Sequence, residues 1–475
     1  MRFIPLPIAA FALLCGCAAV PNVGDAPIIS PPESFASDAS FASAQGEWPT
    51  EGWWQAMGDA QLTRLIDEGM AGAPDVAMAA ARVRSADALA QQAGAALRPH
   101  VGAEAAAGGV QQSKNMGIPP AFVPNGINDT GHIATTFSFD LDLWGKNRAA
   151  LAAATSEADA TRVDAAQARL VVATSIAAAY ADLAGYYQAM DVAQDAVRIR
   201  AASAHITAMR TRAGLDNQGS QRQAEARVPA ARAEVGALEE AIALTRNRIA
   251  ALVGAGPDRG RSIARPQLSL PSAGIPPQAS IALIGRRPDI VAVRLHAEAA
   301  GKRIEVARAD FYPNISLSAL VGLQSLGLTN LVSSGSTYGN GMAAISLPIL
   351  DGGRIAARYR GMRADYDVAV ARYDQILIAA LREVADAIAS RDAVAAQLID
   401  MRGALAAAND AANLAGLRYR AGLTTQLTQL AADDSAISLR RSVAQLEARQ
   451  QALDITLIRA LGGGYQAALP TGNSE

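Results

Sequence analysis

Two cysteines near the amino terminus are the first residues whose type and spacing suggest chemistry. Arg2 gives a positive start, Phe3 to Leu14 form an apolar stretch, and Leu14-Cys15-Gly16-Cys17 follows. Small residues before a cysteine suit cleavage of a signal peptide, with a lipid attached to the new amino-terminal thiol. We therefore predict a signal peptide over residues 1–16 and lipidation of Cys17. The alternative is a signal peptide with two incidental cysteines, because a disulfide between positions two apart is sterically poor.

The residue after Cys17 bears on where the processed chain resides. Ala18 stands there, and not the aspartate that in bacterial lipoproteins often signals retention at the inner membrane. The sequence therefore predicts a protein anchored to the outer membrane of a Gram-negative bacterium and extending into the periplasm. Beyond the signal, no run reaches the roughly 18 to 20 uncharged apolar residues that a membrane helix needs. A span across the bilayer would have to be made of strands.

Residues that often perform catalysis or hold metals are scattered along the chain. The four histidines have no paired spacing suited to zinc; they are His100, His132, His205 and His296. The sequence contains no G-x-x-x-x-G-K-S/T phosphate loop and no G-x-S-x-G nucleophile elbow. A formal net charge of -2 gives no basic surplus for nucleic acid. We predict no enzymatic activity, no nucleic-acid partner, no metal, and no cofactor other than the covalent lipid on Cys17.

The chain repeats itself at long range, which indicates an internal duplication. Pro74-Asp75-Val76 opens an alanine-rich stretch closed by Pro99, and the same arrangement recurs 214 positions later, from Pro288 to Pro313. Farther along, Arg212-Ala213-Gly214-Leu215 recurs as Arg420-Ala421-Gly422-Leu423, an offset of 208 positions. Proline is favoured in a first helical turn and stops a helix at its far end. Both bounded stretches are therefore predicted to be helices.

Four segments alternate between apolar and polar side chains with a period of two, as strands do. From Ile133 the apolar face holds Phe137, Phe139, Leu141 and Leu143. Residues 314–324 alternate likewise, residues 345–349 more weakly, and residues 101–107 most weakly. Four strands cannot close a membrane barrel, whose smallest single-chain form has about eight, so several chains must contribute. The alternative is a soluble antiparallel sheet with one wet face.

The segments around these strands complete the predicted sheet. Gly117 to Gly131 and Ser325 to Gly341 are rich in Gly, Asn, Pro and Ser, and we predict them to be exposed hairpin loops. Trp144 stands near a strand end with Phe137 and Phe139, as in an interfacial aromatic belt. The alternative is that these aromatic residues pack in a protein core, where the same residue types are common.

Long helices are predicted on either side of the R-A-G-L sequences. Between Gly145 and Gly214 there is no proline, and apolar residues from Ile176 to Val197 fall on coiled-coil spacing broken only at Gln194. About 68 helical residues at 1.5 Å each give roughly 100 Å. The second half has the same spacing from Leu377 to Ile388. These lengths indicate a hollow helical tube, although heptads alone would favour a coiled-coil spacer.

The predicted organisation follows the duplication. A signal peptide (1–16) precedes a lipid-anchored extended leader (17–50) whose prolines lie among Ser, Ala and Gly. The first structural repeat covers residues 51–270 and the second covers residues 271–464. A flexible tail follows at 465–475.

Three motifs carry a resemblance to a known family over nearly the whole mature chain. The first is Trp53-Trp54-Gln55-Ala56-Met57-Gly58-Asp59-Ala60-Gln61-Leu62. The second opens with Arg286-Arg287-Pro288-Asp289-Ile290 and runs through Ala307-Arg308-Ala309-Asp310-Phe311-Tyr312-Pro313. The third is the R-A-G-L sequence that occurs twice. In this order, and with the lipidation site, these motifs resemble the outer-membrane factor family, the TolC-like channels, and especially its lipoprotein branch.

The resemblance implies an α+β membrane protein that trimerises into a twelve-stranded β-barrel, four strands per chain, continued by a long periplasmic α-helical barrel. It implies as partners two further copies of the chain, a periplasmic adaptor (membrane fusion) protein, an inner-membrane efflux transporter and outer-membrane lipid. It also assigns the R-A-G-L turns to the periplasmic tip, where the family contacts its adaptor. The tip residues are then Arg212, Gly214, Leu215, Arg420, Gly422 and Leu423. The alternative is ordinary helical hairpins whose leucines pack on their own helices.

The residues past these turns depart from the family's pattern. Many members place an aspartate six residues beyond the turn glycine, but this chain has Ser220 and Thr428 there. We therefore expect no carboxylate gate at the usual positions, and name Arg418, Ser220 and Thr428 as candidate gate residues. Asp433-Asp434 lies farther along and is expected to face helix neighbours. Arg418 and Arg420 are expected to form salt bridges at the tip, worth about 0 to 1 kcal/mol each when exposed.

The functional prediction joins these elements. The chain is expected to be the outer-membrane channel of a tripartite efflux or type I secretion system, a passive duct from the periplasm or inner-membrane pump to the exterior. The alternative is a lipid-anchored periplasmic coiled-coil spacer without a pore. The strands and the lipidation site favour the duct.

Overall fold

The computed structural model of the chain describes residues 20–36, 41, 47–115, 117–269 and 279–467. The predicted signal peptide, the lipidation site Cys17 and the tail beyond residue 467 lie outside the described residues. The chain divides into two compact units, each assembled from separate segments. Unit 1 contains Met1–Ile29, Val83–Ala160 and Val293–Tyr373, and unit 2 contains Ser30–Arg82, Thr161–Ala292 and Asp374–Glu475.

Apart from one short helix at the end of the first half, the two halves of the chain have the same order of helices and strands within the described ranges. The first half contains α1 (Ala60–Gly72), α2 (Pro74–Ala95), β1 (His100–Val110), β2 (Asn128–Asp140), α3 (Lys146–Arg212), α4 (Gln218–Leu252) and the short α5 (Pro257–Arg261). The second half contains α6 (Ala279–Arg286), α7 (Pro288–Ala309), β3 (Asn314–Leu326), β4 (Thr337–Ser346), α8 (Arg354–Arg420) and α9 (Gln426–Ala460).

Equal helix lengths confirm the predicted duplication. The helices α2 and α7 have 22 residues each, α3 and α8 have 67 each, and α4 and α9 have 35 each. The predicted helical span between Gly145 and Gly214 matches α3. The stretches bounded by Pro99 and Pro313 end earlier than predicted, at Ala95 and Ala309, because the backbone before a proline is disfavoured in the helical region.

The four strands form one antiparallel sheet in unit 1, in the order β1-β2-β3-β4. Strands β1 and β2 form one hairpin and β3 and β4 form the other. The register of β2 with β3 brings Phe137 opposite Ala319 and Ile133 opposite Leu323. The pairing of β2 with β3 joins the first half of the chain to the second. The outer strands β1 and β4 each pair on one side only within the described sheet.

The register confirms the alternation that the sequence predicts. One face carries Val101, Phe137 and Ala319 in a row across three strands, followed by Ile315 opposite Ile345. Polar side chains occupy the other face, and they include Glu104, His132, Thr136, Ser138, Asp140, Ser316, Ser318, Gln324 and Asn340. The sheet therefore has one apolar and one mainly polar surface.

The strand ends differ from the prediction in four places. Strand β2 ends at Asp140, so Leu141 and Leu143 lie outside it. A left-handed residue, Asp142 at φ 44°, turns the backbone there. Strand β4 runs from Thr337 to Ser346, which removes Ile349 from it and shortens the predicted loop 325–341. The loop predicted from Gly117 to Gly131 ends earlier, because β2 begins at Asn128.

Unit 2 is held together by the coiled-coil positions of the long helices. Ile176, Tyr180 and Leu183 of α3 are fully buried, and so is Leu377 of α8. Gln194, which interrupts the apolar spacing, is exposed. Among the described helices, only α3 contains an apolar window long enough to cross a membrane, and 56% of that window is buried inside the protein. The apolar window is therefore explained by burial of α3 in the core of the protein.

Candidate functional site

The first R-A-G-L sequence forms the turn between α3 and α4 in unit 2. Gly214 has φ +74°. The N–H of Leu215 donates to the carbonyl of Arg210 at 2.8 Å, and the N–H of Gly214 donates to the carbonyl of Thr211 at 3.1 Å. A left-handed residue in this position lets the last helical carbonyls find donors. A Cβ on Gly214 would meet nothing within 4 Å, so backbone conformation alone favours glycine here.

The second R-A-G-L sequence repeats this geometry between α8 and α9. Gly422 has φ +74°, and the N–H of Leu423 donates to the carbonyl of Arg418 at 2.8 Å. The N–H of Gly422 donates to the carbonyl of Tyr419 at 3.0 Å. The two predicted helix-helix turns are therefore present, with the same hydrogen-bonding pattern.

Ser220 and Thr428 each occupy the third position of the helix that follows a turn. The side-chain oxygen of Asn217 accepts from the N–H of Ser220 at 2.9 Å, and the hydroxyl of Thr425 accepts from the N–H of Thr428 at 3.4 Å. These are N-cap contacts, which satisfy donors at a helix start. A carboxylate would also be favourable at this position because of the helix dipole. The requirements of helix formation therefore do not explain why Ser220 and Thr428 stand where many family members have aspartate.

The turn leucines are exposed. Leu215 is 65% exposed and Leu423 is 70% exposed. This exposure favours a contact surface over the alternative of ordinary hairpins whose leucines pack on their own helices. Leu417 and Leu427 are also exposed and extend the apolar surface on either side of the second turn. Exposed apolar groups gathered in one place mark a contact surface.

The turn arginines differ in what they contact. The Nε of Arg420 donates to the carbonyl of Gly416 in its own helix at 3.2 Å. Arg212 and Arg418 are exposed, and neither forms an ion pair with a described residue. The salt bridges expected of Arg418 and Arg420 are therefore not formed within the described chain.

A different group of residues ties the two helical hairpins together, and the sequence did not predict it. The Nε of Arg210 lies 3.0 Å from Oδ2 of Asp216, and the hydroxyl of Tyr419 donates to the same oxygen at 2.8 Å. The guanidinium of Arg210 also lies 4.5 Å from the centre of the Tyr419 ring. Burial, followed by the hydrogen bond to Asp216, raises the pKa of Tyr419. Nearby, the amide of Gln426 donates to the hydroxyl of Thr207.

A second tie between the hairpins involves Asp434. Its carboxylate accepts hydrogen bonds from Arg200, at 3.3 Å, and from Arg227. This confirms that Asp434 faces helix neighbours. Burial, together with the adjacent charge of Asp434, raises the pKa of Asp433. Arg441 adds a 2.6 Å ion pair with Glu234.

The tryptophan-pair motif positions α1 through Asp59. One carboxylate oxygen accepts from the N–H of Gln61 at 2.8 Å, and the other accepts from the Tyr180 hydroxyl at 2.7 Å and the N–H of Gln267 at 2.8 Å. Burial alone would raise the pKa of Asp59, but the hydrogen bonds from Gln267, Tyr180, Gln61 and Leu62 outweigh it and lower the pKa. Asp59 thereby joins α1, α3 and the segment after α5.

The second motif is centred on Arg287, which is only 7% exposed. Its guanidinium donates to Asp289 at 2.6 Å, to Glu383 at 2.9 Å and to the carbonyl of Ala460 at 3.1 Å. Burial alone would lower the pKa of Arg287, but the two carboxylates outweigh it and raise the pKa. The motif therefore fixes the start of α7 against α8 and the end of α9.

The polar face of the sheet carries charged groups. Nε2 of His132 lies 4.0 Å from Oε1 of Glu104, and Nδ2 of Asn314 donates to Asp140 at 3.4 Å. In the part of the chain that the structure describes, no group of three or more His, Cys, Asp or Glu side chains could hold a metal ion. The sheet surface is therefore a polar wall.

These features define a class of protein. A four-stranded sheet with one apolar and one polar face, in a duplicated chain with two long helical hairpins, belongs to an outer-membrane protein that builds its barrel from several copies. The sequence model of the family described as "Outer membrane efflux protein" matches residues 65–255 and 281–463. The chain belongs to the outer membrane efflux protein family, which confirms the predicted family and its function in efflux.

Individual relatives agree with this assignment. Fusaric acid resistance protein FusA of Burkholderia cepacia is 36% identical over 366 residues, covering 74% of this chain and 67% of that protein. Multidrug resistance outer membrane protein MdtP of Escherichia coli strain K12 is 29% identical over 471 residues, covering 96% of this chain and 95% of that protein.

A solved relative confirms the predicted fold class. The crystal structure of the outer membrane protein VceC from Vibrio cholerae is 40% identical in sequence and superposes with a TM-score of 0.84. The likeness covers 88% of this chain and all of that chain (100%). The fold is therefore shared over most of the chain.

Proposed function

We propose that three copies of this chain form the exit duct of an efflux or type I secretion machine in the outer membrane. The observation that carries the proposal is the two-faced sheet whose outer strands, β1 and β4, have a free edge within the described chain. Closed single-chain barrels have about eight strands or more, so four strands need partners. Three copies supply twelve, with β4 of each copy pairing with β1 of the next, which leaves no edge exposed.

The proposed duct is passive. The chain has no phosphate loop of the kind that binds nucleotides, so its energy must come from a partner in the inner membrane. An efflux transporter in the inner membrane supplies that energy in this proposal. A periplasmic adaptor protein connects the two.

The adaptor contact is proposed at the two R-A-G-L turns. Leu215 and Leu423 are exposed and apolar, while Arg212 and Arg420 flank them with positive charge. Gly214 and Gly422 allow the tight turns that present these leucines. Such a surface fits an apolar partner segment with acidic flanks.

The gate is proposed at Arg418, Ser220 and Thr428. Arg418 is exposed beside the second turn, and Ser220 and Thr428 leave the following helix starts without a carboxylate. Closure of the duct then depends on the contacts that hold the hairpins together, such as those of Asp216 and Asp434.

The anchor and the domain organisation belong to the same proposal. Cys17 would carry the lipid once residues 1–16 are removed, and the leader would continue to residue 50. The two family matches fall within the proposed repeats 51–270 and 271–464. Arg363 of α8 donates to the carbonyls of Gly24 and Asp25, which supports a leader that packs along unit 1.

The proposed cargo is small toxic organic molecules. Two relatives are named for resistance, one to fusaric acid and one to multiple drugs. A susceptibility profile of a strain lacking this chain tests the proposal. Increased sensitivity to several small organic compounds is expected, whereas unchanged sensitivity together with retention of a protein substrate would assign the duct to protein secretion.

Conductance measurements test the duct itself. Purified protein is expected to migrate as a trimer and to give stepwise pore currents in planar bilayers. Blocking lipidation with Cys17→Ala provides a control, because the barrel and not the lipid forms the pore. A monomer without conductance would contradict the proposal and favour the periplasmic spacer.

Surface labelling separates the duct from the spacer. In the otherwise native chain the lipid would cap the Cys17 thiol and Cys15 would leave with the signal peptide. Ile118→Cys in the β1-β2 loop is then expected to react with an impermeant thiol reagent added to intact cells. The matched variant Gly236→Cys on α4 should react only after the outer membrane is permeabilised. Protection of both cysteines in intact cells would favour the spacer.

A further inference from the structure

A cavity of about 310 Å³ lies in unit 1, where the sheet meets the helices next to it. Its wall is formed by the start of β3, the end of β4, the start of α3, the end of α7 and the start of α8. Three basic side chains line it, Lys146, Arg354 and Arg358, against the two acidic side chains Asp142 and Asp310. The charge balance of the wall is therefore positive.

The acidic groups of the wall are already engaged. Asp310 is held by the ammonium of Lys146 at 2.8 Å and by the guanidinium of Arg358 at 2.8 Å. Asp142 accepts hydrogen bonds from the N–H of Asn147 at 2.8 Å and of Arg148 at 3.0 Å. The guanidinium of Arg148 also lies 3.3 Å from the Asp142 carboxylate, so both carboxylates already have a cationic partner.

Arg354 is the cation that remains. It is exposed at the first position of α8 and forms no salt bridge with any described residue. The nearby Asp351 uses its carboxylate to accept from the N–H of Gly353 at 3.0 Å and of Ile355 at 2.7 Å, and its charge attracts Arg354 without a salt-bridge contact. A guanidinium beside a cavity, with its neighbouring carboxylates occupied, favours an anion that accepts two hydrogen bonds, such as a phosphate.

Apolar and aromatic groups surround this cationic wall. The Trp144 ring stacks on that of Tyr312 at 4.9 Å, and its Nε1 donates to the carbonyl of Pro313 at 2.7 Å. The tryptophan remains half exposed, and the nearby Leu143 and Ile345 are also exposed. Aromatic residues with one apolar and one polar end, beside arginine and lysine, are typical of the level at which lipid headgroups lie.

We infer that this cavity binds the phosphodiester headgroup of a phospholipid from the periplasmic leaflet of the outer membrane. Arg354 pairs with the phosphate, and Lys146 adds positive charge beside it. The acyl chains lie along Leu143, Trp144 and Ile345. The inference rests on the proposed placement of the sheet in the outer membrane. A free phosphate would use the arginine and leave the apolar side chains exposed to water, so the phospholipid accounts for more of the site.

Native mass spectrometry of the delipidated trimer in detergent tests this inference. Three probes are added separately: a short-chain phosphatidylglycerol, a diacylglycerol with the same chains, and inorganic phosphate. The wild-type protein is expected to retain phosphatidylglycerol and to bind the other two far more weakly. Arg354→Gln should weaken phosphatidylglycerol binding about five-fold, the effect of about one basic residue near a lipid surface.

Arg360→Gln is the matched control, because Arg360 is exposed on the same helix but does not line the cavity. It should bind phosphatidylglycerol as the wild type does. Equal binding by Arg354→Gln and Arg360→Gln would overturn the inference. Diacylglycerol binding as tight as that of phosphatidylglycerol would also overturn it, since lipid would then bind through its chains alone. Inorganic phosphate binding as tightly would replace the phospholipid with a free anion.

The same preparations are tested for pore conductance, which separates this inference from the proposed function. Conducting trimers that retain no phosphatidylglycerol overturn only the lipid site. Protein without conductance contradicts the duct, whatever its binding of lipid in detergent.

Discussion

The hydroxyl of Tyr419 donates a 2.8 Å hydrogen bond to Asp216, 203 positions earlier in the chain. Tyr419 lies at the end of α8, whereas Asp216 lies in the turn between α3 and α4, so the bond joins one helical hairpin to the other. The same carboxylate oxygen is 3.0 Å from Arg210. Because Tyr419 is almost fully buried, its hydroxyl depends on this partner.

Tyr419→Phe is expected to loosen the two hairpins without unfolding the chain. Loss of one hydrogen bond to a charged group costs about 1.5 to 3 kcal/mol. Denaturant unfolding of the purified protein measures this loss, and single-channel recording should show a larger or more frequent open state. Tyr186→Phe, at a more exposed tyrosine of α3, is the control. If Tyr419→Phe and Asp216→Asn have fully additive effects, the two side chains do not act as a pair.

The sequence predicts the helices far better than it predicts this pair. Gly145 and Gly214 bound a stretch without proline, so the ends of α3 can be read directly. Strand β1 is mostly alanine and glycine, and these residues give only a weak alternation. The start of β4 contains Gly339 and Gly341, which made it resemble a loop.

The partners of Asp216 could not be predicted, because they are set by how the hairpins pack and not by local spacing. The sequence did indicate that the turns differ. Asp216 in the first turn corresponds to Thr424 in the second, at the offset of 208 positions. A charge present in only one of two duplicated turns marks Asp216 as different, but it does not identify Arg210 or Tyr419 as its partners.

Gly422→Val is expected to impair export while trimers still assemble. Gly422 has φ +74°, which a β-branched residue adopts only at a cost of about 1 to 2 kcal/mol. A Cβ at this position would meet no atom within 4 Å, so the strain is confined to the backbone of the turn. Export assays and the yield of trimer are measured together. Gly403→Val, at a helical glycine with equally open surroundings, is the control. Export unchanged in Gly422→Val would contradict the role of the tip.

Arg287→Met is expected to destabilise the protein more than any surface substitution. Removing one partner from a fully buried ion pair costs about 3 to 5 kcal/mol. The loss here should be smaller, because the side chains of Asp289 and Glu383 are 24% and 46% exposed and water solvates part of their charge. Denaturant unfolding checks the loss. Arg382→Met, at an exposed position of α8, should change the free energy of unfolding by less than about 0.5 kcal/mol. Similar effects of the two substitutions would mean that the Arg287 cluster contributes little.

Asp59→Asn is expected to destabilise unit 2 at neutral pH and to have a smaller effect in acid. The folded-state pKa of Asp59 is lowered, so its carboxylate contributes stability that is fully present above the unfolded-state pKa, about 3.9. This contribution is lost as the pH falls through the lower pKa of the folded state. Denaturant unfolding from pH 7 to pH 3 should therefore bring the wild type and Asp59→Asn closer together. Asp67→Asn, on the exposed side of α1, is the control and should change little. A difference between wild type and Asp59→Asn that is the same at every pH would show that the asparagine disturbs packing and not charge.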